Sequence, residues 1–126
     1  MIRSDREHEA ALARVVGLRH EAEELAAECV LYTRLRTEGV TAVPAYPPEQ
    51  RGKALIALRI ARGLSQKELA DLLGVSEPQV SRDEKTEYRG VTQKRYARIL
   101  KALGVEERVS GYVIDPDARS PRARSS

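Results

Sequence analysis

The sequence has very few of the residues that build disulfides, metal sites or aromatic cores. Its 126 residues include no Trp, no Phe, five Tyr, two His and one Cys. The single cysteine, Cys29, cannot form an internal disulfide, and the distant His8 and His20 provide no ligand cluster for zinc. The sequence therefore predicts an aliphatic core, a reducing compartment, no cofactor and no metal.

Long apolar runs and catalytic motifs are also missing. No stretch approaches the roughly 18 apolar residues of a membrane helix, and the N-terminus is too charged for a secretory signal. We find no Ser/His/Asp set, paired carboxylates or glycine-rich phosphate loop in a plausible context. We therefore expect a cytoplasmic protein that is not an enzyme, with no catalytic residues and no membrane partner.

Charged residues, in contrast, are abundant and unevenly distributed. They make up 33% of the chain, whose net charge is +3. The first 48 residues carry six Lys/Arg and eight Asp/Glu, net −2, so the remaining residues carry sixteen and eleven, net +5. The total charge is weak evidence for a nucleic-acid partner, but its distribution places the positive potential on the second half.

The N-terminal segment 1–38 has the pattern of one long helix. Residues 4–37 contain no Pro, and apolar or small residues recur in alternating steps of four and three, as in a heptad repeat. We call these residues the seam: Ala11, Val15, Leu18, Ala22, Leu25, Cys29 and Tyr32. They are flanked by Leu12, Val16, Ala26 and Val30. Because so long a helix cannot bury its seam against a small neighbouring domain, we expect the seam to be a dimer or partner interface.

The remainder is expected to hold one compact domain. The Pro-rich segment 39–48 predicts an extended linker, residues 49–109 predict four short helices, and residues 110–126 predict a largely disordered tail. Ser65 with Glu68, and Ser76 with Gln79, have the spacing of capping boxes that start two of these helices. The predicted fold class is all-α, a compact four- to five-helix domain preceded by a long N-terminal helix.

Segment 63–82 has the residue types and spacing expected of a helix-turn-helix. Ala70 is small where two steeply crossed helices would touch, and Gly74 can adopt the positive φ of a tight turn. The apolar residues expected to face one core are Leu69, Leu73, Val75 and Val80. The pattern closely resembles the Cro/CI-like, XRE-type, lambda-repressor-like family over about residues 53–105. This resemblance implies a fold that binds double-stranded DNA.

The resemblance also implies which residues contact DNA. Gln66 matches the family's phosphate-clamping glutamine, and Lys67 adds positive charge beside it. The positions that reach phosphates and base edges in the major groove are Ser76, Glu77, Pro78, Gln79, Arg82 and, at the end of the same helix, Lys85. A glutamine suits adenine and an arginine suits guanine. Arg59 and Arg62 are expected either to reach phosphate or to pair with Glu68 or Asp71.

The sequence departs from the family pattern after Arg82. Asp83 stands where an apolar core residue is usual, and Thr86 stands where a Gly often ends the helix. Residues 84–88 resemble instead a subgroup with an E-A-T-x-Y motif, in which Tyr88 could fill the space that Asp83 leaves. We expect Asp83 to be either exposed or paired with Arg82, Lys85 or Arg89.

These observations favour a sequence-specific transcriptional regulator, a repressor that binds a palindromic operator as a homodimer. The alternative is an antitoxin of the HigA type, whose N-terminal arm neutralises a toxin protein while its helix-turn-helix represses the operon. A third hypothesis is a phage or plasmid adaptor whose arm binds another protein.

Overall fold

The computed structural model describes residues 1–108 and 111–118 of the chain. By internal contacts the chain divides into two compact units, residues 1–31 and 32–126. Helix α1, Asp5–Glu38, begins in the first unit and ends in the second. The predicted long N-terminal helix is therefore present.

The first unit consists mainly of α1. Its start is stabilised by Ser4, whose hydroxyl accepts a hydrogen bond from the backbone N–H of Glu7 (3.2 Å), and by acidic residues in the first turn. The large apolar side chains of the seam and its flanks are about half exposed or more. Within the described residues, this unit contains nothing that covers the seam.

The second unit begins with the last turns of α1. Leu35 is buried, and Gly39, with φ +77°, leads into a 3-10 turn, Gly39–Ala42, that buries Val40 and Ala42. This differs from the extended linker predicted for 39–48 at its first four residues, where Val40 and Ala42 gain from burial. The domain core therefore includes residues on the N-terminal side of the prolines.

Four helices follow, as the sequence predicts. A 3-10 turn at Pro48–Gln50 leads into α2, Arg51–Ala61, which is followed by α3, Gln66–Leu73, α4, Glu77–Lys85, and α5, Gln93–Leu103. Together they enclose an aliphatic core with two buried tyrosines, Tyr88 and Tyr96. The most deeply buried large side chains are Leu35, Leu55, Leu58, Leu69, Val80, Ile99 and Leu103.

A β-hairpin that the sequence analysis did not predict follows α5. Strand β1, Val105–Arg108, pairs antiparallel with β2, Gly111–Ile114. The second strand lies within the segment 110–126 that was expected to be largely disordered. It is ordered because Tyr112 packs on the core and its hydroxyl hydrogen-bonds that of Tyr96 (3.0 Å). The same expectation for residues 119–126 lies outside the described residues. The all-α class is confirmed, with this short hairpin added.

Candidate nucleic-acid interface

Helix α3 begins and ends at the residues that the sequence indicates. The Ser65 hydroxyl accepts from the Glu68 backbone N–H, and the Glu68 carboxylate accepts from the Ser65 backbone N–H, both at 3.0 Å. This reciprocal capping box satisfies two N–H groups that a helix start leaves without partners. Gly74 ends the helix at φ +69°, a conformation that other residues adopt only with strain. Both signals fix where the turn to α4 lies.

The start of α4 has only one of the two hydrogen bonds of a capping box. The Ser76 hydroxyl accepts from the Gln79 backbone N–H (3.3 Å), but the Gln79 side chain bonds elsewhere. Pro78 is tolerated because it lies in the first turn, where its missing N–H costs no helical hydrogen bond. The first turn of α4, Ser76 to Pro78, is exposed to solvent.

Three of the four expected core residues of the motif are buried. Leu69, Leu73 and Val80 join Ala70 in the packed contact of α3 with α4. The prediction for Val75 is wrong, since 39% of this residue is exposed. Its backbone N–H bonds to the Ala70 carbonyl (3.0 Å), so the tight turn directs the side chain outward.

The residues predicted to contact DNA lie on α3 and α4. Lys67, Arg82 and Lys85 are exposed, as are the three residues at the start of α4, whereas Gln66 and Gln79 are half-buried. Pro78, Arg82 and Lys85 are four and then three residues apart, so they share one side of α4. Val80 and Glu84 are buried on another side of the helix. The contacts with DNA stay a prediction.

A chain of hydrogen bonds orients the side chains of α4. Arg82 donates from Nη2 to Gln79 Oε1 (3.1 Å), and Gln79 donates from Nε2 to Asp83 Oδ1 (3.1 Å). The other carboxylate oxygen of Asp83 accepts from Arg95 of α5. Asp83 is therefore paired, as one of the two sequence hypotheses states, but its partner is Arg95 and none of the three residues expected. Arg95 is 12 residues further along the chain, which helix spacing within α4 could not reveal.

A buried ion pair joins three helices behind this surface. Arg59 of α2 donates from Nε to Glu84 Oε2 (2.6 Å) and from Nη2 to Glu84 Oε1 (2.9 Å). Only 14% of the Arg59 side chain and 7% of the Glu84 side chain are exposed. Gln66 at the start of α3 also donates to Glu84 Oε1 (3.0 Å). Glu84 thus holds the residue predicted to clamp phosphate.

Two other arginines donate hydrogen bonds to carbonyl groups at the C-terminal ends of helices. Arg98 donates to the Leu73 carbonyl at the end of α3 (3.1 Å), and Arg62 donates to the Leu103 carbonyl at the end of α5 (2.9 Å). Burial lowers the pKa of Arg62 from its usual value. The structure thus gives Arg59 and Arg62 partners other than Glu68 and Asp71, and gives both a structural role.

The sequence analysis did not include two exposed cations, one after α4 and one in α5, among the candidate DNA contacts. Arg89 follows α4 and Lys94 lies in the first turn of α5, and both are exposed. Their positions directly after α4 and at the N-terminus of α5 could have identified them as candidates. With Lys67, Arg82 and Lys85, they are exposed positive charges on or next to α3, α4 and α5.

Tyr88 occupies the space beside Asp83, as the sequence suggests. It is buried, Arg95 lies over its ring at 5.8 Å, and its hydroxyl has no hydrogen-bond partner among the described residues. Burial, and then the charges of Glu84 and Asp83, raise the pKa of Tyr88 to about 12. Tyr88 and Glu87 both have φ of 53°, so this loop is held in a strained conformation.

In residues 1–108 and 111–118, no group of three or more His, Cys, Asp and Glu side chains could hold a metal ion. Over the same ranges, no helix combines the length and apolar character needed to span a membrane.

The family comparison agrees with this geometry. Residues 55–109 match the family model described as helix-turn-helix. Comparison with curated proteins and with solved structures gave no match. The matched range contains the capping box, the glycine turn and the whole of α4. Residues 55–109 are thus similar to helix-turn-helix domains, which supports the resemblance to the Cro/CI-like, XRE-type family of DNA-binding regulators.

Proposed function

We propose that this protein is a homodimeric, sequence-specific repressor that binds a palindromic operator. The observation that carries the proposal is the exposed start of α4, with Arg82 held outward beside it by Gln79. The N-terminal residues of such a helix enter the major groove in helix-turn-helix proteins. Binding to an operator blocks its use by other proteins. DNA binding also fits the expected cytoplasmic location.

The hydrogen bonds of α4 suggest different roles for the two predicted base contacts. Gln79 uses its Oε1 for Arg82 and its Nε2 for Asp83. A bidentate contact with adenine would need both atoms, so it would break this chain. Arg82 has further N–H donors, which leaves its guanidinium able to contact guanine. In this proposal Arg82 contacts the base and Gln79 positions Arg82.

Phosphate contacts supply most of the affinity in the proposal. Lys67 is exposed, and Gln66 donates one of its two amide hydrogens to Glu84, leaving the other for a phosphate oxygen. Glu77 in the first turn of α4 would repel phosphate unless it accepts a hydrogen bond from cytosine N4. The proposed phosphate contacts make binding strongly dependent on salt.

Two substitutions test these roles. Arg82→Ala should cost about 1–3 kcal/mol on the matched operator and relax base preference at one position. Lys67→Ala should weaken all duplexes alike and reduce the slope of log K against log salt by about one unit. Fluorescence titrations on matched and single-mismatch duplexes measure both effects.

The matched control is Lys101→Ala, which removes one exposed positive charge from the last turn of α5. It should change neither affinity nor specificity by more than about 0.5 kcal/mol. If Arg82→Ala and Lys67→Ala had the same effect on every duplex, the assigned roles would be wrong. If the protein bound no duplex more tightly than random DNA, sequence-specific repression would be excluded.

The exposed seam of α1 also fits the antitoxin alternative, because a toxin could cover it. Replacing Leu18 and Leu25 by Glu in the full chain distinguishes the two. In a dimeric repressor this change should separate the subunits and lower operator affinity by about 10²-fold. In an antitoxin it should leave operator binding intact and abolish toxin binding. The control replaces Ala13 and Ala27, on the opposite side of α1, by Glu.

A further inference from the structure

We infer that α1 pairs with α1 of a second copy of this chain in the antiparallel direction. The inference rests on the proposed homodimer and adds its geometry. The surface involved is the seam, whose large side chains Val15, Leu18, Leu25 and Tyr32 are between 51% and 61% exposed. Its 4–3 spacing places these residues at the a and d positions of a heptad, the positions that meet across two paired helices.

The sizes of the seam side chains fit one antiparallel register. In this register Leu18 faces Ala22 of the partner subunit. Val15 then faces Leu25 of the partner subunit. Each of these layers joins a larger side chain to a smaller one. Cys29 then faces Ala11 of the partner subunit. Every seam residue has a counterpart, and Tyr32 meets His8 of the partner subunit.

A parallel, in-register pair would match the same side chains poorly. Ala11 would face Ala11 of the partner subunit, and Ala22 would face Ala22 of the partner subunit. These layers of two small side chains would lie beside layers of two leucines, at Leu18 and Leu25. Thin layers leave unfilled space between the helices, which lowers stability. The antiparallel register pairs Ala22 with Leu18 of the partner subunit, so the only small layers within the seam are the two in which Cys29 faces Ala11 of the partner subunit.

The charges beside the seam favour the same direction. In a parallel pair, Arg14 at a g position would face Arg19 at an e position of the partner subunit, twice per dimer. The antiparallel register places Arg14 opposite Glu28 of the partner subunit, also twice. Near the middle of the antiparallel pair, Arg19 faces Arg19 of the partner subunit, and Glu21 faces Glu21 of the partner subunit, so like charges meet twice. The antiparallel pair therefore has two attractive contacts and two repulsive ones, against two repulsive contacts alone.

The apolar flanks of the seam provide a third argument. Leu12 and Ala26 both occupy e positions and are exposed. In the antiparallel register Leu12 faces Ala26 of the partner subunit, so apolar surface covers apolar surface. In a parallel pair, these residues would face Glu7 and Glu21 of the partner subunit instead.

Disulfide trapping in the full-length protein tests the direction. Two Cys29 residues would lie about 18 residues apart along an antiparallel pair, roughly 27 Å at 1.5 Å per residue. This exceeds the Cα separation of about 7 Å that a disulfide can bridge. Wild type should therefore not cross-link under mild oxidation, and neither should the double variant Ala11→Cys/Cys29→Ala. An equimolar mixture of the two should cross-link about half of the dimers or more, because half are heterodimers at random pairing.

The control variant is Ala13→Cys/Cys29→Ala, which puts the thiol on the outer side of α1 and should not cross-link in a mixture with wild type. Cross-linking of wild type alone would show a parallel pair and overturn the inference, while leaving the homodimeric repressor intact. A dimer by sedimentation equilibrium that cross-links in no combination would place the contact elsewhere and also overturn it. A monomer in sedimentation would overturn the inference together with the dimer of the proposed function, and operator titration would then test DNA binding separately.

Charge reversal gives a second, independent measurement. Arg14→Glu should weaken an antiparallel dimer about three- to tenfold, because it would face Glu28 of the partner subunit. It should tighten a parallel dimer, because it would face Arg19 of the partner subunit. The double variant Arg14→Glu/Glu28→Arg should restore the wild-type dissociation constant. Tightening by Arg14→Glu alone, or no rescue by the second change, would contradict the inference.

Discussion

Removing the charge of Glu84 should be among the most damaging single changes in the helix-turn-helix. The Glu84 carboxylate accepts two hydrogen bonds from Arg59 and one from Gln66. Both members of the ion pair are well below one third exposed, so solvent screens them little. Glu84→Gln would leave the Arg59 guanidinium buried without its counter-charge. Breaking a buried pair from one side costs about 3–5 kcal/mol, and we expect about 3 kcal/mol here because the amide oxygen can still accept.

Urea denaturation followed by circular dichroism measures this loss, provided that the slope against urea stays constant. The single variants Arg59→Met and Glu84→Met and the double variant Arg59→Met/Glu84→Met form a mutant cycle. The double variant removes both charges, so it should cost far less than the sum of the two single changes. The control is Glu106→Gln in β1, whose carboxylate is half exposed and 3.6 Å from Arg108. This change should cost less than about 0.5 kcal/mol.

Two results would refute this reasoning. A loss below about 1 kcal/mol for Glu84→Gln would mean that the pair behaves as a surface ion pair. Additive losses in the double variant would mean that Arg59 and Glu84 do not interact energetically. A fully destabilised Glu84→Gln protein would be consistent with the argument, because natural domains have only about 5–15 kcal/mol to lose.

Three further predictions concern the loop after α4 and its surroundings. Tyr88→Phe removes a buried hydroxyl that lacks a partner among the described residues and should stabilise the domain by about 1 kcal/mol. Because the folded-state pKa of Tyr88 is raised to about 12, wild type should lose stability as the pH rises from 10 towards 12. The variant should lose less stability over this range in alkaline melts. Gly52→Ala should cost about 2–3 kcal/mol, since its Cβ would lie 1.8 Å from the Glu87 carbonyl oxygen, whereas Gly17→Ala, in open space, should stabilise α1 by up to about 1 kcal/mol. Asp83→Asn should cost about 1 kcal/mol in a urea melt, because Asp83 is 17% exposed but its partner Arg95 is 42% exposed; a loss of several kcal/mol, or none, would contradict this.

The local signals in the sequence predicted the helices well. Ser65 with Glu68 and the glycine at position 74 bound α3 as expected, because capping and positive φ depend on neighbouring residues only. The heptad spacing likewise predicted α1. Signals of this kind are carried by residue type and spacing, so no knowledge of the tertiary structure is needed.

Predictions that depended on distant partners were poorer. Asp83 pairs with Arg95, and Arg59 pairs with Glu84, at separations of 12 and 25 residues. The β-hairpin was missed because its strands are four residues each, and its order depends on Tyr112 meeting Tyr96. Glu84 could have been found from its spacing of four residues from buried Val80, which places it on the inner side of α4.

These distant contacts also explain how a polar recognition surface can be held in place without an apolar residue at position 83. The usual core residue is replaced by an Asp83 carboxylate that ties α4 to α5 through Arg95 and, through Gln79, orients Arg82. In the proposed complex, Arg82 would therefore lose less side-chain freedom than an isolated arginine, which would lower the entropic cost of its contact with DNA. Glu84 does the same for Gln66 on the neighbouring helix. Two adjacent acidic residues at the end of α4 thus prepare the base-contacting and phosphate-contacting side chains of the proposed interface before DNA is bound.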